Sequence, residues 1–228
     1  MHGTKDELRA NLEQIRLGIG RATFRSGRRP EDVTLVAASK MVPAETMRWV
    51  AELGVREFGE NYVNELRDKR TMLDGVRWHF IGTLQTNTAH HVAAYADVVQ
   101  TLSGDRGVAR LARRAAEVGR RLDALIEVDF TGERTGIPPV ETPAFADRVA
   151  GLEGLRLVGL MTLPPIPADP EDARPYFRGL RELRDRVHRD HPGVLDLSMG
   201  MSLDYEVAVE EGATMVRIGT ALFGPRTA

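Results

Sequence analysis

The 228-residue sequence contains no cysteine. That excludes a disulfide scaffold, a thiolate metal site and thiol catalysis. Neither sign of charge dominates: 31 Lys and Arg against 33 Asp and Glu leave a formal net charge of −2. With no global basic field, neither nucleic acid nor an anionic membrane is expected as a partner. No run of about 18 apolar residues is present, so nothing is expected to span a membrane. The polar start, Met1-His-Gly-Thr-Lys-Asp-Glu7, lacks the apolar centre of a secretory signal, and the cytoplasm is the expected compartment. The six histidines (His2, His79, His90, His91, His188 and His191) form no HExxH pattern. His90 and His91 are adjacent and should diverge on a helix, so no metal site is expected.

Lysine is almost as scarce. Of the 31 basic residues 28 are Arg, leaving only Lys5, Lys40 and Lys69. Lys5 falls in the polar start of the first helical pattern, and Lys69 in the run Arg67-Asp68-Lys69-Arg70, which reads as solvated. Lys40 alone follows an apolar strand, Val33–Ser39. Arg would keep a charge there, but a guanidinium stays protonated and cannot form a Schiff base. A site that needs a deprotonatable amine has to keep Lys. The structural alternative is a lysine snorkelling from a strand end.

What is present is a strict alternation of strand and helix patterns. Leu8, Leu12, Ile15 and Ile19 make one helical stripe over residues 6–19. Residues 20–32, rich in Arg, Gly, Ser and Pro, read as a loop. Eight strands are then expected: Val33–Ser39, Val55–Phe58, Arg77–Ile81, Val98–Leu102, Leu122–Val128, Leu155–Met161, Val194–Leu197 and Thr214–Ile218. A helical pattern follows each of the first seven. One of them places Val108, Leu111, Ala112, Ala115 and Val118 on a common face. Alternation argues for a parallel sheet with right-handed crossovers, and eight units argue for closure into a (β/α)₈ TIM barrel behind an extra N-terminal helix. The length suits one such α/β domain, residues 1–228, at the short end of the usual ~250 residues. A doubly wound open sheet is the alternative, although no GxGxxG follows the first strand.

In a barrel, chemistry sits at the C-terminal ends of the strands, and a phosphate commonly sits between the loops after strands seven and eight. Lys40 lies at the first strand's end. The two loops read Ser198-Met-Gly-Met-Ser202 and Arg217-Ile-Gly-Thr220. Gly200 and Gly219 let backbone N–H groups approach an anion, and Ser202 and Thr220 offer hydroxyls. Singly, such residues are ordinary turns and caps. Together with a lysine across the barrel mouth they describe a site for a phosphorylated carbonyl compound. Pyridoxal 5′-phosphate (PLP) and a sugar phosphate both answer that description.

Several segments carry a family resemblance: Ala37-Ala-Ser-Lys40, Phe58-Gly-Glu-Asn-Tyr62, Trp78-His-Phe-Ile-Gly82 with Leu84-Gln85, Gly159-Leu-Met161, Leu197-Ser-Met-Gly-Met-Ser202 and Met215-Val-Arg-Ile-Gly-Thr-Ala-Leu-Phe-Gly224. Over nearly its whole length the chain resembles the pyridoxal phosphate homeostasis protein family, related to the N-terminal barrel of alanine racemase. The resemblance, not periodicity, implies that the ligand is PLP. It implies a Schiff base on Lys40, a phosphate cradle of Ser202, Gly219 and Thr220, Arg217 facing the pyridine nitrogen, and Asn61 lining the site. Arg134 falls where related racemases place an arginine near a substrate carboxylate. Each has a plainer alternative: a phosphate or rim contact for Arg217, a helix cap for Asn61, a solvated loop for Arg134. His79 reads as a satisfied barrel histidine.

The chain also departs from the family. Many relatives have a second lysine two residues after the first, where this chain has Val42. Others have a lysine after a Gln-Ser-Asn segment, where it has Thr86-Asn87-Thr88; a third family lysine appears here as Arg134. Any secondary PLP-carrying or transfer role that the family assigns to those other lysines is therefore in doubt here, while the Lys40 site is not. An arginine beside the pyridine nitrogen leaves that nitrogen unprotonated and weakens the ring as an electron sink. Few residues follow the last strand, so no further domain with a catalytic tyrosine is expected, and no second acid–base group can be named. The resemblance thus implies a monomeric, non-catalytic PLP-binding protein of cofactor and amino-acid homeostasis, with PLP-dependent apoenzymes as transient partners and no catalytic residue. The alternatives are a minimal amino-acid racemase using Lys40 as one base and a Schiff-base aldolase acting on sugar phosphates.

Overall fold

The computed structural model describes residues 3–225; of the residues discussed above, Met1, His2 and the last residues, 226–228, lie outside that range. A long helix, α1 (Lys5–Arg25), precedes the barrel. The units follow as β1 (Thr34–Ala38) with α2 (Ala44–Glu52), β2 (Glu57–Glu60) with α3 (Val63–Arg70), and β3 (Arg77–Phe80) with α4 (Ala89–Tyr95). Next come β4 (Val98–Leu102) with α5 (Asp105–Glu117), β5 (Leu122–Val128) with α6 (Thr142–Ala150), and β6 (Leu155–Thr162) with α7 (Arg174–Asp190). The last are β7 (Asp196–Ser198) with α8 (Tyr205–Glu210) and β8 (Met215–Ile218) with the short α9 (Thr220–Phe223). All neighbouring strands pair in parallel, and β1 pairs with both β2 and β8 (Leu35 opposite Val216, Val36 opposite Arg217), so the sheet closes. This is the expected (β/α)₈ barrel; the doubly wound open sheet is ruled out.

The apolar runs place the core between strands and helices. Leu8, Leu12, Ile15 and Ile19 are all buried against the barrel, as the stripe predicts. Each such side chain contributes roughly 1.5–3 kcal/mol before chain entropy is set against it. Thr4 caps α1 in a capping box with Glu7. The helix runs past Ile19, where the sequence reads as a loop, because Ala22 and Thr23 continue the buried stripe. On its outer face Arg21 and Arg25 pair with Glu206 and Glu210 of α8. Gly18 lets the two helices touch, since a Cβ there would sit 2.1 Å from the Tyr205 hydroxyl. Val118 leaves the expected face: it is the C-cap of α5, already out of helical phase, and is exposed. His90 and His91 do not diverge; their rings lie 3.9 Å apart, and His91 also stacks on Tyr95 one turn on.

Two corrections bear on the site. The second strand is displaced from Val55–Phe58 to Glu57–Glu60, so Glu60 is a strand residue with a fully buried side chain. Lys69 is not solvated. It reaches back from α3 to donate to the Ser39 carbonyl at 2.7 Å, to Glu60 Oε1 at 2.8 Å and to Glu65 Oε2 at 2.6 Å. Ser39 Oγ also donates to Glu60 Oε1, and Glu65 accepts the N–H of Met41. Met41 sits at φ 61°, in the left-handed region where a side chain is disfavoured. Both flanks of Lys40 are thus held by one buried cluster of β2 and α3.

Candidate functional site: a cavity at the C-terminal mouth of the barrel

The C-terminal ends of the strands surround a cavity of about 600 Å³, within the range of small-molecule sites. Lys40 enters it from the end of β1, Asn61 from the end of β2, Arg217 from β8, Ser202 from the loop after β7, and Gly219 and Thr220 from the turn into α9. All six candidate residues therefore line one space, as does Arg134 from the loop after β5. Asn61 is not the cap of α3: that position is Tyr62, which makes no side-chain cap bond. Arg134 sits on an ordered turn, because the Asp129 carboxylate accepts the N–H groups of Thr131 and Arg134 and the Thr131 hydroxyl. Those bonds hold the Asp129 carboxyl below its usual range, outweighing the opposing effect of burial.

Two hydrogen bonds lock the glycine-containing segments together. Arg217 N–H donates to the Gly200 carbonyl, and Ala221 N–H donates to Ser202 Oγ at 3.1 Å. Ser202 therefore bridges the β7 loop to the first turn of α9, where the chain turns at Gly219. Gly200 requires its own residue type: its φ is +93°, and a Cβ would lie 2.5 Å from that of Ala208.

Arg217 is buried. Its Nη1 donates to Ser198 Oγ at 2.6 Å and its Nη2 to the Thr162 carbonyl at 2.9 Å. Burial pushes its pKa down to about 10, against the pull of Asp204 and Glu127; the guanidinium stays charged at neutral pH. Asp204 was missed in the sequence because Leu203 to Glu211 reads simply as helix. It lines the cavity, accepts the Met201 N–H through Oδ1, and leaves Oδ2 buried without a partner. Burial pushes its carboxyl up. The apolar walls were missed as well: Ile81, Met161, Leu163, Ile166 and Met201. Their signal is position alone: Met161 is the penultimate residue of β6, and the others lie one to four residues beyond the end of β3, β6 or β7.

The donor set suits a phosphorylated aldehyde. It offers an amine that can condense with a carbonyl, a charged guanidinium, two hydroxyls and a glycine turn. Among the described residues no group of three or more His, Asp or Glu is placed to hold a metal ion.

Residues 6–227 match the family model described as the alanine racemase N-terminal domain. A pyridoxal phosphate homeostasis protein of Aquifex aeolicus is 41% identical over 220 residues, covering 94% of this chain and 96% of the relative. One from Escherichia coli strain K12 is 40% identical over 233 residues, covering 97% of each. Among solved structures, PipY of Synechococcus elongatus with PLP bound superposes with a TM-score of 0.84 at 31% identity, covering 95% of this chain and all of that one. An alanine racemase of Clostridium difficile, 16% identical, gives a TM-score of 0.76 over 98% of this chain but only 57% of its own, a likeness of fold alone. By its sequence across nearly the whole length, the chain belongs to the pyridoxal phosphate homeostasis protein family, built on the alanine racemase N-terminal domain.

Proposed function

We propose that this chain binds PLP in the barrel-mouth cavity, covalently through Lys40, and serves intracellular PLP and amino-acid homeostasis without robust catalysis. The observation that carries the reading is the convergence of Lys40, Arg217, Ser202, Gly219 and Thr220 on one cavity. PLP would supply an aldehyde that condenses with a primary amine, releasing water, and a phosphate that anchors it. The chain's own residues supply the rest. The Lys69 cluster holds the turn that presents Lys40. Ser202 and Thr220 offer hydroxyls, and Gly219 a close backbone approach, to the phosphate. Arg217, charged and pinned from behind, would donate to the pyridine nitrogen of bound PLP and so leave that nitrogen unprotonated.

That last feature argues against strong carbanion chemistry, since an unprotonated ring is a poor electron sink. The mouth is open, with Ile166 and Leu203 exposed on its wall and Met41 and Tyr62 beside Lys40 and Asn61. An open mouth supports a monomer that exchanges PLP transiently with apoenzymes. One observation favours the second reading, a minimal racemase: Asp204 is a titratable group in the cavity that sequence reasoning did not name.

The test is the visible spectrum of the purified protein titrated with PLP, followed by assay for alanine racemisation. Stoichiometric uptake with an imine band and no turnover supports the reading. Absence of the band would overturn it, and turnover abolished by Asp204→Asn would establish the racemase.

A further inference from the structure

The barrel interior, usually filled by Val, Ile and Leu, is crossed here by a chain of polar side chains. Arg217 Nη1 donates to Ser198 Oγ at 2.6 Å, and Ser198 Oγ donates to Gln100 Oε1 at 2.6 Å. Gln100 Nε2 bonds His79 Nδ1 at 2.7 Å, and His79 Nε2 bonds Glu57 Oε2 at 2.5 Å. The five residues come from β8, β7, β4, β3 and β2. Ser198, Gln100 and His79 are fully buried. The chain runs from Glu57, at the N-terminal rim of the barrel, to Arg217, on the wall of the cavity.

With Gln100 Oε1 toward Ser198 and Nε2 toward His79, one proton arrangement satisfies every link. A guanidinium only donates, so Ser198 Oγ must accept from it and pass its single proton to Gln100. An amide nitrogen only donates, so His79 Nδ1 is bare and the ring proton sits on Nε2, aimed at the Glu57 carboxylate. An apolar filling would stabilise the barrel as well or better, so packing does not call for this chain. What it does at its upper end is hold one edge of Arg217, while the Thr162 carbonyl holds Nη2.

We propose that Ser198, Gln100 and His79 are positioning residues: a polarised relay that fixes which N–H groups of Arg217 point into the cavity. Its consequence for the ligand ring rests on the PLP reading, but the relay itself does not. None of the three relay residues lines the cavity, so they act on a ligand only through Arg217.

The experiment has one arm without ligand and one with PLP. In the ligand-free protein, nitrogen-15 NMR of His79 at neutral pH should show a bare Nδ1 and a protonated Nε2. The Arg217 side-chain N–H signals should be slow to exchange with solvent, and Ser198→Ala or Gln100→Leu should speed that exchange at least tenfold, whereas Ser198→Thr preserves it. With PLP, Ser198→Ala and Gln100→Leu should weaken binding about tenfold, as for one lost hydrogen bond to a charged group, and shift the ligand's absorbance; Ser198→Thr should restore both. A merely structural role would lower the melting temperature and leave exchange and spectrum alone. A protonated Nδ1, or unchanged Arg217 exchange in both variants, overturns the relay. Absence of PLP binding by the parent protein overturns the PLP reading and leaves the NMR arm to decide the relay. If Gln100→Leu does not fold, the wild-type tautomer and Ser198→Ala still decide.

Discussion

Replacing Lys69 by Met should be among the most damaging single substitutions outside the apolar core, although the residue sits in a run of charges. Its amine makes three hydrogen bonds, and its partner Glu60 has a fully buried side chain. Without the amine, Glu60 retains only the Ser39 hydroxyl as donor, and its Oε2 already lacks a partner. Glu65 is partly exposed and can turn to water. Met matches the aliphatic stem, so the loss is electrostatic: an uncompensated buried carboxylate, costing about 3–5 kcal/mol. Against a total stability of about 5–15 kcal/mol, that should lower the melting temperature by roughly 6–20 °C for a chain of this size.

The pH dependence gives a second, sharper check. Burial raises the Glu60 carboxyl, and Lys69 and Ser39 only partly oppose it. The native state therefore holds a proton on Glu60 more tightly than the unfolded chain does. Stability from this group is fullest below its unfolded value and declines as pH rises through the folded one. Lys69→Met raises the folded value further, so its penalty should be greatest at alkaline pH and shrink on acidification, as Glu60 becomes neutral. Urea unfolding at pH 8 and pH 5.5 measures this directly. The double variant Lys69→Met/Glu60→Leu should recover most of the loss, because both polar partners have gone. A single-variant penalty below about 1 kcal/mol, or one independent of pH, would refute the buried-pair reasoning.

Other substitutions test the site and its frame. Ser202→Ala and Thr220→Ala should each weaken PLP more than pyridoxal, by roughly 1.5–3 kcal/mol; equal losses for the two ligands in isothermal titration would show that neither holds the phosphate. Gly82→Ala should cost about 1–3 kcal/mol and loosen PLP, because a Cβ there would meet the Asn61 carbonyl oxygen at 1.9 Å and displace a cavity residue; wild-type affinity and melting temperature would contradict that. Asp97 is held low: burial raises its carboxyl, but Arg70, the Trp78 N–H and Arg120 together outweigh it. Its stabilisation is therefore full above the usual carboxylate range and lost as pH falls through the folded value, so Asp97→Asn should be less stable than the parent at pH 7 and indistinguishable from it near pH 2 in thermal melts.

The strands were legible because buried parallel strands are written as nearly continuous apolar runs, as in Val98–Leu102 and Leu122–Val128, whose bounds match residue for residue. Lys40 was legible because a lysine stood at a strand end in a chain that otherwise uses arginine. Lys69 was not, because its neighbours in sequence are charged; only the α3 geometry, which buries Leu66 and Lys69 on one face, reveals it. Glu60 was read past the strand end because Phe58-Gly59 resembles a closing turn. Gly59 instead stays in the strand, where a Cβ would meet the Ile81 side chain at 2.9 Å. The Arg217 relay was equally hidden: His79, Gln100 and Ser198 lie on three strands, and only closure of the barrel brings them together.

The most direct test of the covalent site is borohydride reduction of the PLP-loaded protein followed by peptide mapping. The phosphopyridoxyl group should appear on Lys40 at close to one per chain and vanish in Lys40→Ala. Label found mainly on Lys5 or Lys69, or retained at full yield in Lys40→Ala, would contradict the assignment.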